Sequence, residues 1–216
     1  MFEKIVEGIR NIKQWRTGIK ASVAYAGVSI FQASLSFITS PIFTRLLTQD
    51  EYGQVAIYFS INQLIGTFAL FNLGAGCMDI GLQDNEDDRL VFIFSILVLS
   101  NITTIATGVL IYFFWPIIKS YIGIDFILMI VMFISFFLSP AYSFWLRLER
   151  FEFRYKLSSL ITLLSVFLSC ACSIIAVLIY KESKVHARVM GASIPLLIIY
   201  VIFYFRLGYK VSRRIC

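Results

Sequence analysis

The sequence predicts an all-α membrane protein: a bundle of six transmembrane helices with both termini in the cytoplasm, preceded by an amphipathic N-terminal helix. Its 216 residues are 59% hydrophobic, with a mean hydropathy of +0.82, which is far more apolar than a soluble domain. Six apolar runs contain no charged residue, and five of them exceed the roughly 20 residues that a helix needs to span a hydrocarbon core. The runs are Ala21–Thr44, Tyr52–Met78, Leu90–Ile118, Phe126–Leu146, Leu157–Tyr180 and Val189–Phe205.

The distribution of positive charge predicts the orientation. If the N-terminus is cytoplasmic, 14 of the 19 Lys and Arg residues fall in inside segments. Cytoplasmic segments carry the excess of Lys and Arg in membrane proteins, so we expect both termini inside. The outside loops would then hold only Arg45, Lys119, Lys181, Lys184 and Arg188.

The elements follow from the positions of these runs. Residues 1–18 have apolar side chains at helical spacing among basic ones, so they are expected to lie in the membrane interface; a plain cytoplasmic tail is the alternative. The transmembrane bundle occupies 19–208, and 209–216 form a basic cytoplasmic tail. The helices are expected at approximately 20–44, 52–77, 90–115, 124–147, 157–180 and 188–206.

Composition argues against several other classes of protein. The net charge of +6 arises from residues that flank helices, so anionic membrane lipid is the expected partner and nucleic acid is not. The one histidine, His186, has no catalytic set around it in the sequence, and the four cysteines form no CxxC pair. We therefore expect no enzymatic activity, metal or cofactor.

Polar residues inside the helices are candidates for helix contacts or for substrate contacts. Serines and threonines recur at helical spacing in the first and fifth helices, where hydroxyl groups are typical of helix–helix interfaces. Gln32, Asn62 and Asn101 are bulkier and costlier to desolvate, so they are candidate substrate-binding residues as well.

Three arginines near the membrane boundaries are further candidates, because a guanidinium can hold a phosphate or carboxylate through paired hydrogen bonds. Arg45 ends the first helix on the outer side, where the orientation rule does not favour positive charge. Arg147 and Arg150 end the fourth helix on the inner side, where positive-inside charge alone also accounts for them. The acidic segment Asp79–Arg89 is interpreted as a solvated turn.

One stretch of sequence resembles a known family. The run from Pro41 to Gly53, PIFTRLLTQDEYG, is similar to the junction of helices 1 and 2 in Wzx-like polysaccharide and O-antigen flippases. These belong to the multidrug/oligosaccharidyl-lipid/polysaccharide exporter superfamily. Asn72–Gly76 and the basic-aromatic segment Arg147–Tyr155 agree with the same family.

The resemblance implies a fold of two six-helix lobes around a central cavity, of which this chain matches the first. It also implies a function in the bacterial inner membrane: moving an undecaprenyl-diphosphate-linked oligosaccharide from the inner to the outer leaflet. A single lobe encloses no cavity, so a second lobe or a second copy is an expected partner.

Two alternatives remain open from the sequence. A cation-coupled small-molecule exporter of the related multidrug type is expected to carry a carboxylate in its first helix, and Ala21–Thr44 contains none. A truncated or non-transporting accessory membrane protein is the second alternative.

Overall fold

The computed structural model describes residues 2–71, 77–86, 88–122, 125–180 and 182–215, and all regular secondary structure within them is helical. This part of the chain forms seven helices. They are α1 (Phe2–Leu46), α2 (Gln49–Leu70), α3 (Met78–Asp84), α4 (Arg89–Ile122), α5 (Phe126–Phe151), α6 (Tyr155–Ile179) and α7 (Lys184–Ile215).

Five segments within these helices are long and apolar enough to cross a membrane. They lie in α1, α4, α5, α6 and α7, and they agree with the class that the sequence predicts: an all-helical, multi-pass membrane protein. Of the predicted spans, the one in α2 is absent from this set. Its 22 residues suffice in length, but the amide side chains of Gln54, Asn62 and Gln63 lower its mean hydropathy.

The helix boundaries differ from the predicted ones at several ends; α4, for example, continues to Ile122 instead of ending at 115. α1 is continuous from Phe2, so the segment expected in the interface joins the first span without a break. α2 ends at Leu70, where Phe71 takes a left-handed conformation with φ 45°; the predicted remainder of this helix includes Asn72–Gly76, which lies outside the described residues. α7 continues to Ile215, through most of the predicted tail.

α7 is the central helix of the bundle. It contacts α2, α4, α5 and α6, whereas α1 packs mainly along α6 and more lightly on α2. The apolar core consists of separate clusters where three or four helices meet. One of them joins the C-terminal ends of α1 and α6 to the N-terminal ends of α2 and α7, through Phe43, Leu47, Val55, Val177 and Ala187.

Small and hydroxyl residues let α6 and α7 pack closely. Ser169 Oγ donates to the carbonyl of Ala192 at 2.8 Å, and Ser173 Oγ donates to the carbonyl of Arg188 at 2.8 Å. The predicted interface role of the serine stripe in this helix is thus confirmed. In α1 the result differs, because the hydroxyls of Ser29 and Ser36 are exposed and donate to carbonyls of their own helix.

The acidic segment after α2 is more than a solvated turn. α3 buries Met78 and Leu82 against α4 and α5, while Asp79 and Asp84 on its other face are exposed, as a solvated segment requires. Gly81 permits this packing: a Cβ at that position would overlap the ring of Phe92.

Candidate functional site

The candidate site lies where α1 ends and α2 and α7 begin. Lys184 and Arg188 are one turn apart at the start of α7, so their side chains leave the helix on the same side. Lys184 Nζ donates to the carbonyl of Leu46 at 2.8 Å. This bond caps the C-terminus of α1, where a positive charge is favourable.

The Arg188 side chain is half-buried between aromatic rings. Its guanidinium carbon lies 3.8 Å from the centroid of the Phe43 ring and 5.6 Å from that of Phe59. Its Nη1 donates to Ser173 Oγ, and the same hydroxyl donates to the Arg188 carbonyl. The rings and the serine therefore fix the guanidinium while leaving it in contact with open space.

That open space is a cavity of about 220 Å³ between α1, α2 and α7. Its serine and threonine hydroxyls come from α1, its guanidinium from α7, and its apolar lining mostly from α2. The described residues that line it include no carboxylate, so Arg188 is the only charged group among them. The lining residues are Ser36, Thr39, Ser40, Phe43, Leu47, Tyr52, Val55, Ala56, Phe59 and Arg188.

The chemistry of this arrangement favours an anion. A guanidinium has five N–H donors, and within the described part of the chain a single side-chain hydrogen bond, to Ser173, uses them. A cation among membrane-spanning helices is costly unless something compensates its charge. Aromatic rings provide part of that compensation, and a bound phosphate or carboxylate would provide the rest.

The surrounding turns hold this end of the bundle in a defined geometry. α2 begins with a capping box, in which the Thr48 amide donates to the Glu51 carboxylate at 2.7 Å and the Glu51 amide donates to Thr48 Oγ1 at 3.3 Å. The hydrogen bond from the Thr48 amide lowers the pKa of Glu51 below its ordinary value. His186 Nε2 lies 2.8 Å from Asp125 Oδ2, which joins α7 to the start of α5.

The sequence-predicted residues near this end do not line the cavity. Arg45 is exposed in the last turn of α1, and it makes no hydrogen bond or ion pair with any described residue. Gln32 is half-buried on α1, one turn before the cavity begins. Asn62 is half-buried on α2, with its side chain at the hydroxyl of Tyr58. Their roles in binding substrate remain predictions.

The other predicted residues lie elsewhere in the bundle. Asn101 is buried, and its Nδ2 donates to the Tyr204 hydroxyl at 2.9 Å, so it joins α4 to α7. Arg147 is half-buried near the end of α5. Arg150 is exposed, with its guanidinium carbon 5.0 Å from the centroid of the Tyr25 ring on α1. The six predicted residues therefore do not form one site.

Arg188 was assigned from the sequence to an outside loop. The signal that identifies it is its position one turn after Lys184 and directly before the apolar run Val189–Phe205. A helix that begins at Lys184 carries both charges into the bundle. No group of three or more His, Cys, Asp or Glu residues suited to a metal occurs in the described ranges.

Comparison with protein-family models gives a match. A model described as "polysaccharide biosynthesis protein" matches residues 42–216, from the last turns of α1 onward. The chain belongs to this polysaccharide biosynthesis protein family. Much of the Arg188 cavity lies inside the matched region, including the residues from α2 and α7. Searches of curated proteins and of solved structures gave no match to this polysaccharide biosynthesis protein.

Proposed function

We propose that this chain acts as one lobe of a flippase that moves a lipid-linked oligosaccharide across the bacterial inner membrane. The observation that carries the proposal is Arg188: a half-buried guanidinium in a cavity between membrane helices, with no carboxylate among the described residues that line it. Membership in a polysaccharide biosynthesis family supports a glycan intermediate as the cargo. In bacteria such intermediates are carried on undecaprenyl diphosphate, which supplies the anion.

The groups in the cavity suit the two parts of this substrate. The guanidinium would accept the diphosphate through charge-assisted hydrogen bonds. Ser36, Thr39 and Ser40 would exchange hydrogen bonds with sugar hydroxyls, and Tyr52 and Phe59 offer aromatic surface. No bond is made or broken in translocation, so the chain would act as a transporter and not as an enzyme.

The proposed arrangement in the membrane has six spans with both termini cytoplasmic, which requires α2 to cross. In that orientation the Arg188 cavity lies toward the outer leaflet. A second lobe, from another chain or from a second copy, would close the open side of α1 and provide alternating access.

The function is tested by deleting the gene in its own host and measuring two quantities. We expect surface glycan to fall and lipid-linked oligosaccharide to accumulate on the cytoplasmic side. Accumulation distinguishes a block in translocation from a block in synthesis, which would deplete the intermediate. Normal surface glycan, or loss without accumulation, would contradict the proposal.

Site variants in the same host test the role of Arg188. Arg188→Gln is expected to reproduce most of the deletion phenotype. Arg188→Lys is expected to retain only part of the function, because an ammonium cannot bind a phosphate through two parallel hydrogen bonds as a guanidinium does. Arg213→Gln, an exposed arginine on the same helix, is the control at matched protein level. Arg45→Ala is measured alongside, and we expect a smaller loss because its side chain is exposed.

A further inference from the structure

A second cavity lies at the opposite end of the bundle from Arg188. It encloses about 240 Å³ between the first turn of α4, the last turns of α5 and the later turns of α7. Trp145, Phe203 and Leu207 are buried and form its apolar wall. Seven charged side chains surround it, namely Glu86, Arg89, Glu149, Glu152, Arg154, Arg206 and Lys210.

Four of these charges already have partners. Arg89 Nη2 lies 3.6 Å from the Glu86 carboxylate, and Arg154 Nη2 lies 2.9 Å from the Glu152 carboxylate. Arg89 is held further by the carbonyl of Leu82, which accepts from its Nε at 3.0 Å. These pairs form the rim of the cavity. Among the described residues, the other three charged side chains that line it form no ion pair.

Three charges remain, and they are of opposite sign. Glu149 lines the cavity although it is only 8% exposed. Within the described part of the chain its carboxylate makes no hydrogen bond and no ion pair. Arg206 and Lys210, one turn apart on α7, also have no ion-pair partner there. The Glu149 carboxylate is accessible from the cavity and not from the packed core around it, so a ligand in the cavity could contact it together with Arg206 and Lys210.

The geometry defines what that ligand must carry. Glu149 faces the same cavity as the two cations but does not pair with either of them. A molecule that satisfies all three must therefore hold a cationic group and an anionic group a short distance apart. An aminoalkyl phosphate has this form: its ammonium has three N–H donors for a carboxylate, and its phosphate suits an arginine beside a lysine.

We propose that this cavity binds the headgroup of phosphatidylethanolamine, with the ammonium on Glu149 and the phosphate on Arg206 and Lys210. The cavity lies at the ends of candidate membrane spans in α4, α5 and α7, and the ends of such spans are where a bilayer places its headgroups. Its volume suits a headgroup, and the acyl chains remain in the bilayer. This inference does not depend on the proposed transport function.

The test measures which lipids the purified full chain retains. The protein in detergent is incubated with equal amounts of phosphatidylethanolamine, phosphatidylcholine and phosphatidylglycerol, and bound lipid is identified by native mass spectrometry. We expect phosphatidylethanolamine to be preferred about tenfold over the other two, as a charge-assisted hydrogen bond allows. Phosphatidylcholine is the sharpest comparison, because its trimethylammonium has no N–H to donate.

Variants assign the preference to the named residues. Glu149→Gln should abolish the preference for phosphatidylethanolamine over phosphatidylcholine. The double variant Arg206→Gln/Lys210→Gln should reduce retention of all three lipids, and because both residues are exposed it stays informative if Glu149→Gln does not fold. Lys156→Gln, an exposed lysine at the same end but outside the cavity, should retain the wild-type preference.

Three results would overturn the inference. The first is equal retention of the three lipids by the wild-type chain, and the second is a preference that survives Glu149→Gln. The third is binding of soluble O-phosphoethanolamine without any preference among the lipids, which would identify a free metabolite as the ligand.

Discussion

At the scale of single residues, Gly191 lies on α7 where the backbone of α6 comes very close to it. A Cβ built at this position would lie 2.7 Å from Ser173 Cα, 2.8 Å from Ala176 Cβ and 2.9 Å from the Cys172 carbonyl oxygen. Two of these neighbours are backbone atoms of α6, which cannot turn aside as a flexible side chain would. Only a glycine permits this distance between α6 and α7.

Gly191→Ala is therefore expected to destabilise the protein by about 1–3 kcal/mol, the usual cost of overpacking. The measurement is thermal unfolding of the purified chain in detergent. Gly208→Ala is the matched control on the same helix, because nothing lies within 4 Å of its Cβ position. There the better helix propensity of alanine should stabilise by up to about 1 kcal/mol. An equal effect at both positions would contradict the packing argument.

The sequence predicts which polar residues face a neighbouring helix better than it predicts whether a boundary arginine is exposed or lies in a cavity. The serines of α6 follow one helical face, so their interface role could be read directly from their spacing. Arg45 and Arg188 were counted alike as outer-loop cations, yet one is exposed and the other lies in a cavity. Their difference depends on where α7 begins and on which helices pack beside it, and neither is encoded in local spacing.

At the scale of elements, α2 is fixed at its start by side-chain hydrogen bonds. The Thr48–Glu51 capping box satisfies two amides that the helix itself leaves free. Hydrogen bonding from the Thr48 amide lowers the pKa of Glu51 from its ordinary 4.5. The unfolded chain thus binds the proton more readily than the folded one. Stability from this carboxylate is fully present above pH 4.5 and is lost as the pH falls through the lower, folded pKa.

Glu51→Gln should lower the melting temperature at pH 7, and its difference from the wild type should shrink as the pH falls below 4.5. Asp50→Asn is the control, because Asp50 occupies the same first turn but lies outside the capping box. A constant difference between Glu51→Gln and the wild type down to low pH would show that the carboxylate charge contributes nothing.

The sequence predicts most of the helices but not all of them. Long apolar runs gave five of the spans, since length and hydropathy alone define them. The sequence does not predict α3, because it has only seven residues and three of them, Asp79, Gln83 and Asp84, are polar or acidic. It is helical because Met78 and Leu82 are buried against neighbouring helices, a tertiary contact that no local pattern reveals.

At the scale of the whole molecule, the orientation of the termini depends on whether α2 crosses the membrane. Five segments have the apolar character of membrane spans, and α2 is long enough to be a sixth. Six crossings return the chain to the side on which it started, and five do not. The 14 basic residues assigned to the inside favour six.

Reporter fusions test this orientation. Green fluorescent protein, which fluoresces only in the cytoplasm, should be bright at either terminus. Alkaline phosphatase, which is active only outside, should be active when inserted between α6 and α7. The same insertion between α5 and α6, which is predicted to lie inside, is the control and should be inactive. Termini on opposite sides would mean that α2 does not cross.

The close contact at Gly191 also determines which walls of the Arg188 cavity can move. With no space between their backbones, α6 and α7 form one rigid unit that carries the arginine and its serine partner together. Only 11% of the most apolar stretch of α1 is buried, although the bond from Lys184 to Leu46 and the contact of Phe43 with Arg188 anchor its C-terminal end. Any motion that admits a bulky ligand must therefore displace α1 or α2. We expect that in such a motion Arg188 would stay with α6 and α7, and that the hydroxyl-bearing face of α1 would move relative to it.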